Sequence, residues 1–513
     1  MSGLQSAIAE THSILQTYKT ESAGNSAHSL DKLSTLLMDV GLAQEATKIS
    51  SYAVSIYRSM RATQPDSNFA IALHNYSHHL SASGRTDEAL LEARNAVEIY
   101  SRLIDDVFDP GRAKALDTLA ACLFAVGDKK EALDVSNAAI VISRNLHRRK
   151  PKDERLSADL ALLLSNRASK LYALRRDREA LRDAVESKET YRRLYHQCIS
   201  DRYTAEYADS LRMYSGLLFD LRSVKEALDP ARKAVSLWTE LEAGNLDVYS
   251  PKLAEGLLGL FDILSGLELR LEAKEQILKA VGIFRRLAAD APDTFNAKYV
   301  SSLHKAAWAC IDQKRHDDEA LGYLDEALGI CQMLEKGKIT SSAAELYDDK
   351  YTCLDRLKRY GEAVQASRSS IAIREQAPES VKNTKLLTAS RRDLASALFN
   401  LSVELDKKPH KAIAPAREAV NRFSVLFKQA PEDQGLQTNF VLACRSLSHL
   451  CTDLKQDEEA LKYAKLAVNA GASMEENVHL KKAWTRLSYC YRNLQQWEFE
   501  RWAEEQASKL GGG

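Results

Sequence analysis

Residues 80–100 read LSASGRTDEALLEARNAVEIY. Leu80 closes one apolar-periodic run, Gly84 interrupts it, and Glu88-Ala89 opens a second run with Ala96 seven residues on. The same phrase recurs ten times. Its anchor alanines are Ala46, Ala89, Ala132, Ala180, Ala227, Ala273, Ala320, Ala363, Ala412 and Ala460. A small residue follows each by seven positions, from Ala53 through Ser187 and Ser370 to Ala467. The anchors lie 43 to 49 residues apart. Self-similarity at such a period predicts a stacked array, because one unit cannot bury its apolar face alone.

Each anchor belongs to the second helix of a unit, and a first helix precedes it. Leu73 and Leu80, Leu116 and Leu123, and Leu164 and Leu171 stand sixteen and nine residues before their anchors. That separation of seven places both members on one helix face. Twelve before the anchor come Ser34, Ser77, Ala120, Ala168 and Ser215, small enough to let the two helices approach. Five before it stand Gly41, Gly84 and Gly127, suited to ending a helix in a left-handed conformation. Later units carry Arg175, Arg222, Arg315, Lys358, Lys407 and Lys455 there, cations that suit a helix C-terminus. Pro65, Pro151, Pro292 and Pro431 follow their anchors by 19 residues and should stop the second helix. Phe261, Trp308 and Tyr351 occupy the small slot of units six to eight. Rings there are expected to push the paired helices apart and alter curvature over residues 255–360.

The small residue, the Leu, the Gly, the Glu-Ala and the Ala seven later together resemble the tetratricopeptide repeat (TPR) signature, though at a period longer than its usual 34 residues. The resemblance covers about residues 28–507. It implies an all-α fold: a TPR-like right-handed superhelical solenoid of antiparallel helix pairs. The expected organisation is a capping helix over 1–27, about ten helix pairs over 28–470, a divergent capping pair over 471–507 and a tail over 508–513. Trp484, Tyr489, Tyr491, Trp497, Phe499 and Trp502 are expected to cover the end of the stack.

Bulk composition narrows the function. The 513 residues hold 71 basic and 71 acidic side chains, so no basic excess points to nucleic acid. No apolar run is long enough to span a bilayer, and no secretory signal opens the chain, so no membrane partner and a cytoplasmic location are expected. The eight cysteines form no CxxC pair and read as reduced core residues. His74 and His78 share a helix face four residues apart but lack a third ligand, so no metal is expected. No phosphate-binding loop or nucleophile elbow occurs, and neither a cofactor nor catalysis is expected.

The expected function is therefore a non-catalytic scaffold or adaptor that binds a protein or peptide along the face lined by first helices. Eight before the anchor, Phe124, Tyr172 and Phe219 form an aromatic series, and Asp312 and Asp355 follow in later units. Neighbouring positions add Glu255, Asp262, Glu345 and Asp348. One reading is a groove for a peptide with hydrophobic residues followed by basic ones. The other is that the rings are core and the acids a solvated face. The carboxylate clamp implied by chaperone-binding TPR domains lacks its Lys and Asn residues here: the matching slots hold His74, His78 and Thr118, or Ser165, Ser169 and Met213. Residues 140–240 carry 21 basic against 15 acidic side chains, which fits either an acidic partner or a solvated face. The alternative function is the sensor array of a larger nucleotide-binding signalling protein; a third is an unrecognised enzyme.

Overall fold

A computed structural model describes residues 23–39, 43–60, 67–103, 109–198, 200–312, 316–334, 341–378, 380–472 and 477–510. Of the capping helix expected over 1–27, residues 1–22 lie outside the described residues, as do Gly41, Pro65, Arg315 and the closing glycines.

Among the described residues the chain forms twenty-two α-helices and no strand. They fall into two compact units, residues 1–290 and 291–513. The first unit holds six helix pairs: α1 (Ala23–Asp39) with α2 (Ala43–Ser59), α3 (Ser67–Ala82) with α4 (Thr86–Arg102), α5 (Asp109–Val126) with α6 (Lys129–Arg149), α7 (Glu154–Ala173) with α8 (Asp177–Gln197), α9 (Asp201–Asp220) with α10 (Val224–Gly244), and α11 (Leu246–Gly266) with α12 (Arg270–Asp290). The second holds five: α13 (Pro292–Asp312) with α14 (Asp317–Leu334), α15 (Ser341–Arg356) with α16 (Tyr360–Gln376), α17 (Val381–Glu404) with α18 (Pro409–Gln429), α19 (Gln434–Asp453) with α20 (Asp457–Gly471), and α21 (Asn477–Asn493) with α22 (Trp497–Lys509). Within each unit every helix packs on its predecessor and successor, which makes the array TPR-like.

The repeated phrase sets the packing. Every anchor alanine is at most 2% exposed, so no larger side chain fits where the paired helices meet. Serine in the small slot ties the pair further: Ser77 Oγ donates to the Ala89 carbonyl at 2.7 Å, and Ser448 Oγ to that of Ala460 at 2.8 Å. Eleven residues past the anchor, Tyr57, Tyr100, Tyr191, Trp238, Phe284 and Phe423 are buried rings that fill the space toward the next pair.

The joint inside a pair keeps one conformation whether or not it is glycine. Gly84 and Gly127 have φ of 78° and 96°, and Arg175, Arg222, Glu268, Lys358, Lys455 and Gln495 hold the same left-handed region at 58° to 66°. In each case the next amide donates back to a carbonyl five residues earlier, as Arg176 does to Leu171 and Gln456 to Cys451. This is a Schellman closure, which favours glycine because a Cβ strains the left-handed backbone. Glycine at Arg175, Arg222, Lys358 or Lys455 is therefore expected to raise stability by about 0.5–1 kcal/mol per site, the relieved strain exceeding the added chain entropy. Chemical denaturation of the quadruple variant checks this; a lowered midpoint would show that the side chains themselves matter.

First helices of neighbouring pairs approach one another more closely than second helices do, so within each unit the first helices line the inner side. Polar contacts mark that seam in the first unit: Asn75 to Asp31 at 3.0 Å, Thr118 to His74 at 3.1 Å, and Asn166 to Asp117 at 2.6 Å. Second helices are bridged instead by long pairs such as Arg58–Glu92, Arg144–Glu186 and Arg232–Glu272. Glu92 is buried, whereas Arg144–Glu186 and Arg232–Glu272 are exposed at both ends, and exposed pairs add little stability.

His79 is buried on α3, with Nδ1 3.2 Å from Ser50 Oγ. Burial, then the charge of His78, pushes its pKa down to about 4. The unfolded chain binds a proton near pH 6.5 while the folded chain does not, so stability is full above pH 6.5 and falls as pH drops toward 4. His79→Cys, copying Cys122 and Cys353 in the same slot, is expected to flatten the dependence of the urea midpoint on pH over that window. An unchanged slope would remove His79 from the account.

Two expectations shift. Trp308 does not separate α13 from α14: it is half exposed, and Leu303, Ala307 and Cys310 are among the buried residues of α13. Counted from Ala320, these fall one residue earlier than the leucine, small and leucine slots elsewhere. Phe261 does occupy the slot and is buried. At the C-terminal end the aromatic set divides: Tyr491 is buried, whereas Tyr489, Trp497, Phe499 and Trp502 remain exposed.

Candidate functional site

The seam between first helices is filled at the slots eleven before one anchor and fourteen before the next. Successive seams of the first unit hold His78 with Thr118, Ala121 with Asn166, and Ser169 with Met213. Between α9 and α11 both slots are glycine, Gly216 and Gly259. A Cβ added at either would meet no atom within 4 Å. The seam therefore opens into a cleft of roughly 250 Å³ over Ala231 and Ala234 of α10. Arg212, Ser215, Phe219 and Asp220 line it from α9, and Glu255, Gly256, Asp262 and Ile263 from α11.

The walls are held from behind. Trp238 on α10 is fully buried. A Cβ on Gly256 would come within 2.6 Å of its ring. Only glycine at 256 lets α11 seat against that indole, and this seating fixes one wall. On the other wall, the Tyr172 hydroxyl donates to Asp220 at 2.5 Å, which holds the phenol pKa up and fixes the carboxylate at the rim. Three carboxylates, Asp220, Glu255 and Asp262, face one guanidinium, Arg212, around an apolar floor.

Three of the residues singled out from sequence thus meet in one place: Phe219, Glu255 and Asp262. Tyr172 joins them through Asp220. Phe124 does not; it packs partly buried against the apolar cluster of the first three pairs. The remaining four belong to the second unit. Glu345 is exposed on α15. Asp348 turns inward, accepting from Ser370 Oγ at 2.6 Å and Ser390 Oγ at 3.0 Å and pairing with buried Arg374, which stands where other pairs carry a ring. Asp355 accepts from Asn400 at 3.0 Å. The side chain of Asp312 lies outside the described residues. The one-residue shift of the buried α13 positions puts Ile311 in register with Phe124.

Gly216, Gly256 and Gly259 were missed in the sequence, although Gly216 and Gly259 stand 43 residues apart, one period, in facing slots. The basic stretch over 140–240 lines a second cleft of roughly 410 Å³ between α6, α7 and α8. Three of its arginines already pair with carboxylates: Arg144 with Glu186, Arg167 with Asp183 and Arg176 with Glu179. Among the described residues no group of three or more His, Cys, Asp or Glu side chains is placed to hold a metal ion. No described helix is long and apolar enough to cross a membrane.

No family model matches the chain, and no curated protein matches it. Similarity to solved structures is remote. The apo form of RapI is 11% identical over 76% of this chain and 97% of that chain, with a TM-score of 0.45. A signal-transduction ATPase with a TPR sensor from Pyrococcus horikoshii is 15% identical over 76% of this chain and 54% of that one, with a TM-score of 0.46. Yeast Tom70 is 13% identical over 96% of each chain, with a TM-score of 0.31. All three scores are below 0.5.

Proposed function

We propose that the chain is a non-catalytic interaction scaffold that holds a peptide segment of a partner protein in the cleft between α9 and α11. The observation that supports this reading is the pair of facing glycines, Gly216 and Gly259, which opens a seam that side chains occupy at the preceding junctions. An apolar floor with Phe219 suits an aliphatic or aromatic anchor. The rim of three carboxylates and one guanidinium suits a neighbouring Lys or Arg of the partner. The remaining acids, Glu345, Asp348 and Asp355, form no part of this cleft. The test is affinity capture from the source cell, with the native chain beside a Gly259→Leu chain. Partners retained by the first and lost by the second support the cleft; the same partners on both reject it.

A further inference from the structure

The last pair breaks the pattern of the convex slots. One residue before the anchor stands Glu in nine of the ten earlier units, from Glu45 to Glu459, and a lysine in the other. In α22, Gln495 takes the left-handed joint and Glu500 the anchor position, so that slot is Phe499. Trp497 and Trp502 fill the slots three before and two after the anchor. The three rings are 55%, 55% and 46% exposed. Phe499 stacks on Tyr491 and Trp502 meets Trp484 edge-on; the open faces of Trp497 and Trp502, in slots that other pairs give mostly to polar or small residues, mark a docking surface.

The sequence of this surface says what covers it. Residues 497–502 read WEFERW. At 3.6 residues per turn, Trp497, Glu498, Arg501 and Trp502 share a face about 140° wide, and all four are exposed. Among the described residues neither Glu498 nor Arg501 forms an ion pair within the chain. The pattern is self-complementary about its midpoint. A two-fold axis between Phe499 and Glu500, perpendicular to α22, sets Trp497 against the partner's Trp502 and Glu498 against the partner's Arg501. Each contact then occurs twice, as a two-fold interface requires. The chain carries no net charge that would oppose its own association. We infer that α22 is the self-association surface of this protein, pairing antiparallel with α22 of a second copy.

Light scattering on the full chain, from about 1 to 100 µM, reports a micromolar dissociation constant. The expected result is a concentration-dependent species of twice the 57.2 kDa chain mass. Glu498→Arg and Arg501→Glu, each setting like charges face to face, should each weaken the dimer at least about tenfold. The double exchange should restore it. Both sites are exposed, so the variants should keep the native unfolding midpoint. A native chain that stays monomeric, single variants that dimerise as the native chain does, or a double exchange no better than the singles overturns the inference.

Discussion

Trp238→Ala is expected to lower the stability of the first unit by about 3–5 kcal/mol, the cost of emptying a fully buried tryptophan site. The indole is wedged between α10 and the backbone of α11 at Gly256, so collapse cannot recover the space without moving a helix. The converse experiment has an unusual sign. Gly→Ala inside an exposed helix gains about 1 kcal/mol. At Gly256 the new methyl would lie 2.6 Å from the Trp238 ring, and overpacking of that kind costs about 1–3 kcal/mol. The two sites touch, so their effects should not add: Gly256→Ala should cost less in a Trp238→Leu chain than in the native one. Denaturant titrations of the native chain, the three single variants and the Gly256→Ala/Trp238→Leu double variant check this. A loss below about 1 kcal/mol for Trp238→Ala would mean that the site relaxes freely.

Gly259→Leu is expected to separate stability from binding. Its side chain would enter open cleft rather than packed core, and leucine is the better helix former by up to about 1 kcal/mol. The unfolding midpoint should therefore hold or rise. Affinity for a partner peptide seated on Phe219 should fall at least about tenfold, because the leucine occupies the anchor's place. Titration of a labelled partner peptide against native and variant chains measures both arms. Unchanged affinity in a folded variant would move the binding site elsewhere.

The features legible in the sequence are those that each unit repeats. The anchor alanines, the small slot and the joint recur, so chance matches cancel and the helix pairs stand out. The joint was legible at Gly84 and Gly127, and less so at Arg175 or Lys455, where neighbouring contacts hold a left-handed backbone without glycine. Register was lost at Trp308 because the buried positions Leu303, Ala307 and Cys310 each lie one residue earlier, counted from Ala320, than in other pairs. Asp348 looked like a surface acid because its partner, Arg374, lies on the next helix and is itself buried. The cleft was hidden for a different reason. It is made of what two slots lack, and a missing side chain becomes a cavity only when both slots face each other.

Hydrogen exchange of the chain with and without a captured partner tests the central claim most directly. Binding in the cleft should slow exchange in α9 over residues 211–220 and in α11 over residues 255–263, and Gly259→Leu should abolish the effect. Protection confined to other helices, with these two segments exchanging as in the free chain, would contradict it.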